Sequence, residues 1–416
     1  MLSRRNALTA IGLTGMAGGL AACGDGNTTT SANGDLSIIT PIFQDSDGKE
    51  LLEEDIADSF DQKVNLAVDY TPFDRLNEKL ATSIAGGMSR DIIMTGVGWV
   101  QPFAEKQVLG TFEDSLPGQL DIHDKILDTC LYDGQLHALP YQMSGTFFVY
   151  DKEAFEQVGV EGPPESLESL REIGRELQQG GPSIDIFTNN PRINWIQFLG
   201  AFGGSLFNDA GDAVAFDDGT GEAALQYMID LIEDGSADFD LRGTEGQPSP
   251  YQRGEVALQL VGSAAWPLLA QETPELVTEE RMGIFVTPGV AGEEPSLLLG
   301  GTLISLGENA TNPELALDFV KHMFSPDNLV SASKLTGNAP SITEVPDDPD
   351  LAANRFSTFL TDNLDYADVA EGGSPAWMEV REVIGPQVES AVTGAQTPAE
   401  SISNIKSAAE DAIARL

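Results

Sequence analysis

Only two cysteines occur among the 416 residues, Cys23 and Cys130, so a scaffold held by disulfides is excluded. Three histidines are too few to build a histidine-based metal site, and no metal or cofactor is expected. Basic residues are scarce as well. Nine lysines and thirteen arginines stand against 66 Asp plus Glu, a formal net charge of -44. Such a polyanion repels phosphate backbones, which excludes nucleic acid as a partner. Beyond the N-terminus no segment is long and apolar enough to span a membrane. Common catalytic signatures are missing too: no H-E-x-x-H, no G-x-S-x-G and no G-x-x-x-x-G-K-[ST]. Gly96-Val97-Gly98 begins like a dinucleotide loop, but Gln101 stands where the third glycine belongs. Asp45-Ser46-Asp47-Gly48 is too short for an EF-hand loop.

What remains is an ordinary globular composition, 41% hydrophobic and 21% charged, long enough for two to three domains. The acids are dispersed. Glu53-Glu54-Asp55, Asp217-Asp218 and Asp347-Asp348 fall in different thirds of the chain, unlike an acidic tail or a single calcium site. Like charge at this density strains a compact state at ordinary ionic strength. Molar salt shortens screening to about 3 Å and removes the strain, so an extracellular protein of a halophile is expected.

The N-terminus differs from everything downstream. Arg4-Arg5 precedes an uncharged run from Ala7 to Ala22, too short for a membrane span but suited to a signal peptide. The arginine pair resembles a twin-arginine export signal, and Leu20-Ala21-Ala22-Cys23 resembles a lipobox. Residues 1–22 are read as signal peptide, Cys23 as the lipid attachment site, and 23–34 as a polar tether. Losing Arg4 and Arg5 takes the charge from -44 to -46 (-44 minus 2). Cys130 then has no partner and reads as a small buried apolar residue. Asn27-Thr28-Thr29 and Asn309-Ala310-Thr311 match the N-glycosylation pattern.

From residue 35 the pattern alternates. Strands are expected at 35–40, 64–70 and 91–94, with helices at 48–60 and 72–85 between them, as in βαβ units with a parallel sheet. Asn312-Pro313 and Ser325-Pro326 mark helix starts, and Thr397-Pro398-Ala399-Glu400 is a capping box. Ordered landmarks then span about 36 to 416. They include Tyr70-x-x-Phe73-x-Arg75-Leu76, Asp91-Ile92-Ile93, Tyr132-Asp133-Gly134-Gln135 up to Pro140, and Tyr150-Asp151-Lys152-x-x-Phe155. Gly203-Gly204-x-Leu206-Phe207-Asn208-Asp209, Gly254-Glu255-Val256-Ala257-Leu258, Gly300-Gly301 and Asn338-Ala339-Pro340 follow. This ordered set resembles the sugar-binding, maltose-binding-protein-like family of ABC-importer solute-binding proteins, with a haloarchaeal charge pattern.

The resemblance implies an α/β fold of the two-lobed periplasmic-binding-protein type (type II), with three hinge crossings. Lobe one would hold 35–141 plus 301–338, and lobe two 142–300 plus 339–416. It implies a monomer that captures a small-molecule solute, a carbohydrate or polyol, and delivers it to ABC permease subunits. The membrane contact would be the lipid alone, at the extracellular face. A sugar offers apolar C–H faces and a hydroxyl rim, so its site needs aromatic plates ringed by polar groups. Trp99, Trp195, Trp266 and Trp377 fall at loops or helix starts where the family meets its ligand. Where many relatives have G-P-W, this chain has Gly262-Ser263-Ala264, with Trp266 two residues later. Polar candidates are Gln44 and Asp45 after the first strand, Tyr141 and Gln142 at the first crossing, and Arg192 and Asn194 before Trp195. Gly300 and Gly301 lie at another crossing, where glycine permits close approach. An extracellular glycan hydrolase and a ligand-sensing receptor are the alternatives, although no catalytic residue is identified.

Overall fold

A computed structural model describes residues 34–86, 90–178, 181–187, 190–243 and 247–416. The signal peptide, Cys23, most of the tether and Asn27 lie outside these residues. Ten strands form one mixed sheet. Its main path runs 65–70, 35–40, 92–96, 298–306, 139–151, 258–262 and 184–185. The expected βαβ start is present: Asp35–Thr40 pairs in parallel with Asn65–Tyr70 and with Ile92–Gly96. The centre departs from the expected parallel order. Leu298–Leu306 runs antiparallel to both Ile92–Gly96 and Leu139–Asp151, and Leu258–Gly262 is antiparallel to the latter. Strands that return through the middle of a sheet from distant sequence are invisible to local periodicity.

Three distant segments meet in one row of this sheet. Gly301 and Ala339 both register with Met143, while Thr302 and Pro340 both register with Gln142. The register of 298–306 slips between Thr302 and Leu303, just past Gly301. A methyl group at Gly301, where φ is +155°, would overlap the Gln142 carbonyl oxygen. Glycine there allows two long strands to lie close together.

Buried Asp91 ties one end of the sheet to a helix. Its Oδ2 accepts from the Ser37 N–H at 2.8 Å and the Ser37 hydroxyl at 2.6 Å. Its Oδ1 accepts from the Thr311 N–H at 2.6 Å and the Asn312 N–H at 3.2 Å. The helix Pro313–Met323 starts where the Asn-Pro pair predicts, but the Asn312 side chain makes no cap; it donates to the Asp35 carbonyl. The capping box at Thr397 and Glu400 forms as read and opens the helix Pro398–Ile413. The helix expected over 48–60 begins at Ser46 and passes into a π segment, Leu51–Ile56, which keeps Leu51, Leu52 and Ile56 buried. Two apolar clusters fill the interior. The larger runs along most of the sheet, and the smaller gathers Phe147, Tyr251, Trp266 and Phe356.

Candidate functional site

A cleft of about 530 Å³ opens beside the row of three segments. Asp45, Phe73, Gly96 and Trp99 line it. Ser144, Thr146, Arg192, Ser263, Glu371 and Arg381 line it as well, with Gly300, Gly301, Thr336 and Asn338. Phe73 is 39% exposed, a large value for phenylalanine, and Trp99 is only 2% exposed. Trp99 stacks on Phe103 with centroids 5.9 Å apart and planes 14° apart, and Phe73 meets it edge-on at 6.2 Å. The indole is held from behind, so Phe73 is the aromatic surface most available to a solute.

Polar groups converge on the cleft as well. The helix Pro191–Ala201 is capped by the Asn190 side chain, which accepts from the Arg192 N–H, so Arg192 occupies its first turn beside the cleft. Arg192 Nε donates to Glu371 Oε1 at 2.5 Å. Arg381 lies over the Trp99 ring, with its guanidinium carbon 5.0 Å from the centroid. Burial first, and neighbouring Arg192 next, lower the affinity of Arg381 for its proton. Ser263 accepts from the Gly145 N–H and donates to Asn338 Oδ1, fixing two lining residues to each other. Gly98 and Gly372 meet without side chains between them, and this contact brings the Trp99 and Glu371 segments together. Among the described residues no His, Cys, Asp or Glu cluster could hold a metal ion. Burial pushes the Cys130 thiol up to about 12, which fits the inert core residue read from the sequence.

Of the residues singled out in the sequence, Asp45, Trp99, Arg192, Gly300 and Gly301 line this cleft. The others do not. Gln44 is exposed and donates to the Pro41 carbonyl at 2.7 Å. Tyr141 is fully buried between Phe43 and Phe324. Gln142 lies one layer behind the wall, accepting from Thr336 and donating to Ser333. Asn194 and Trp195 face inward on the helix Pro191–Ala201, and the Trp195 indole donates to the Gly221 carbonyl at 3.0 Å. Trp266 packs on Phe356 at 5.1 Å in the smaller apolar cluster, and Trp377 is buried against Phe207. The expectation that these three tryptophans meet a solute therefore gives way. At a helix start that docks on a sheet, the indole buries its large apolar area against the core.

The cleft also contains residues that sequence reasoning passed over: Phe73, Ser263, Thr336, Asn338, Glu371 and Arg381. Phe73 and Asn338 stand in landmark motifs, and Arg381 is one helical turn beyond Trp377, so the helix Trp377–Val392 reaches the cleft through its next turn.

The profile of the family described as bacterial extracellular solute-binding protein matches residues 55–357, more than half of the chain. The diacetylchitobiose binding protein DasA of Streptomyces coelicolor is 23% identical over 355 residues, covering 81% of this chain and 82% of that protein. Among solved structures, the GacH receptor of Streptomyces glaucescens, described in complex with acarbose, superposes with a TM-score of 0.75. It is 21% identical and covers 91% of this chain and 98% of its own. Maltose-bound MalE3 of T. maritima gives a TM-score of 0.74 at 21% identity, covering 92% of this chain and all of its own. These neighbours share the two-lobed α/β binding-protein fold, and no described helix is long and apolar enough to cross a membrane. With its mixed sheet, its cleft and this profile match, the chain belongs to the bacterial extracellular solute-binding protein family and serves in binding rather than catalysis.

Proposed function

We propose that this protein is the lipid-anchored substrate-binding subunit of an ABC importer, capturing a sugar or related polyol in its cleft and passing it to the permease. The observation that carries the reading is the half-exposed Phe73 ring braced by Trp99, in one cleft with Ser, Thr, Asn, Arg and Glu side chains. That pairing suits a pyranose, whose C–H face seeks an aromatic plate and whose hydroxyls seek a polar rim. The relatives described with acarbose, maltose and diacetylchitobiose add support for carbohydrate.

In this reading lobe one is 35–141 plus 301–338 and lobe two is 142–300 plus 339–416, with the row at Gln142, Thr302 and Pro340 as the hinge. Closure about that row buries the solute. The protein acts as a monomer at the extracellular face, exported by a twin-arginine signal in residues 1–22 and held by lipid on Cys23. Its charge suits concentrated salt. A thermal-shift screen of mono- and oligosaccharides in molar KCl tests the function, since a ligand that binds only the folded form raises the melting point. If no sugar shifts the transition while the protein melts cooperatively, the carbohydrate reading is overturned.

A further inference from the structure

The cleft holds an unusual concentration of the residue type this chain has least of. Only 22 of 416 residues are Lys or Arg, yet Arg192 and Arg381 both line it, close enough that Arg192 disfavours the charged form of Arg381. The two differ in what they are bonded to. Arg192 is paired with Glu371 at 2.5 Å. Arg381 donates no hydrogen bond to any described residue, and its Nε is shut away from solvent without a partner. Its nearest carboxylate is that of Glu382, 3.8 Å from Nε, on a side chain 70% exposed to water. The Arg381 side chain is only 12% exposed. Arg281 also has a withdrawn Nε, but its Nη2 donates to Asp151 at 2.6 Å, Arg355 donates to the carbonyls of Val277, Thr278 and Met282, and Arg171 is clamped by Asp230 and Asp234. A guanidinium carries five donors in a planar fork, and withdrawing it from water is costly unless they are met.

We infer that the solute is an anionic carbohydrate, bearing a carboxylate or a phosphate that Arg381 grips in the cleft while the sugar ring rests on Phe73. This rests on the sugar-binding reading above and narrows it. A neutral sugar could accept from the Arg381 donors one hydroxyl at a time, and no neighbouring carboxylate hydrogen-bonds them: Asp45 accepts from the Gly48 N–H, Glu371 is bonded to Arg192, and Glu382 stands 3.8 Å away. A carboxylate or phosphate meets the fork with two parallel, charge-assisted hydrogen bonds. Trp99 supports the guanidinium, whose carbon lies 5.0 Å from the centre of the indole ring. The global charge of -44 repels an anion only over the screening length, about 3 Å in molar salt, so the local pair of arginines decides what enters.

The test is titration calorimetry on the mature protein in molar KCl with matched pairs: galactobiose against digalacturonate, cellobiose against its uronic-acid counterpart, and glucose against glucose 6-phosphate. At least one charged member should bind tenfold or more tightly than its neutral partner, and the uronate and phosphate arms tell the two anions apart. Arg381→Gln should erase that preference, weakening the charged ligand at least tenfold and the neutral one less than threefold, with an unchanged melting point; Arg381→Lys should restore part of it. If neutral members bind as tightly as charged ones, or Arg381→Gln weakens both alike, the inference is overturned and sugar binding stands. If no member of any pair binds, the carbohydrate reading falls and this inference with it.

Discussion

Replacing Phe73 and Trp266 separately by alanine should dissociate affinity from stability, because the structure gives the two rings opposite surroundings. Phe73 keeps 39% of its surface in solvent at the cleft, whereas Trp266 keeps 9% and packs on Phe356 in the smaller apolar cluster. Truncating a fully buried aromatic costs about 3–5 kcal/mol, and a ring as exposed as Phe73 about a third of that, about 1–2 kcal/mol. With an unfolding entropy of about 2 cal/mol/K per residue, Trp266→Ala should lower the melting point by about 5 °C and Phe73→Ala by about 2 °C. Binding should order them the other way. Loss of a sugar-stacking ring removes about 1.4 kcal/mol, so Phe73→Ala should raise Kd about tenfold, while Trp266→Ala should leave it within twofold. Calorimetric titration with the best sugar from the screen, beside scanning calorimetry in the same molar-salt buffer, reads both quantities. A Trp266→Ala protein that melts normally but binds tenfold more weakly would refute the placement of the solute against Phe73 and return it to the tryptophans.

Dialysis of the mature protein from molar to millimolar salt should abolish its cooperative melt by circular dichroism, because its repulsion is no longer screened; an unchanged melt at low salt would refute this. Cys23→Ser should move the protein from the membrane fraction to the medium, as read by cell fractionation. Gly301→Ala should weaken binding and stability together, since its methyl group would overlap the Gln142 carbonyl oxygen at the proposed hinge; unchanged binding and melting would remove that strand contact from the account. Arg171 and Arg175 hold the Asp234 carboxylate at about 2, below its ordinary 3.8, so its contribution is present above pH 4 and fades as pH falls toward 2. Asp234→Asn should therefore lower the melting point at pH 6 and make little difference at pH 2, when both proteins are melted in molar salt.

Local signals in the sequence reached the first three strands, the capping box at Thr397 and the start at Asn312-Pro313, because each depends on neighbours a few residues apart. They did not reach the antiparallel return of Leu298–Leu306, whose partners lie far off in the chain. The cleft was legible in its loops rather than in its helices. Asp45 caps the short helix after the first strand, Trp99 follows the third strand, and Gly300 and Gly301 lie on the crossing strand Leu298–Leu306. On helices one residue decides the face. Arg192 lines the cleft while Asn194 and Trp195 beside it are buried, and Arg381 lines it one turn after the buried Trp377. Hydrophobic size, which made the tryptophans conspicuous in a list of residues, is also what draws them into a core.

The place of Leu298–Leu306 in the sheet also bears on how the chain is made. It fits between Ile92–Gly96 and Leu139–Asp151, so both of those strands emerge from the ribosome long before the segment that will separate them. Until then each presents an open edge with unpaired backbone groups, the template on which nascent chains pair wrongly with one another. Closing that gap means bringing together residues about 200 positions apart, a non-local step expected to be slow. Synthesis of this protein therefore includes an interval when two apolar strand edges lie bare on the same molecule, and the like charge dispersed along neighbouring chains works against their pairing during it.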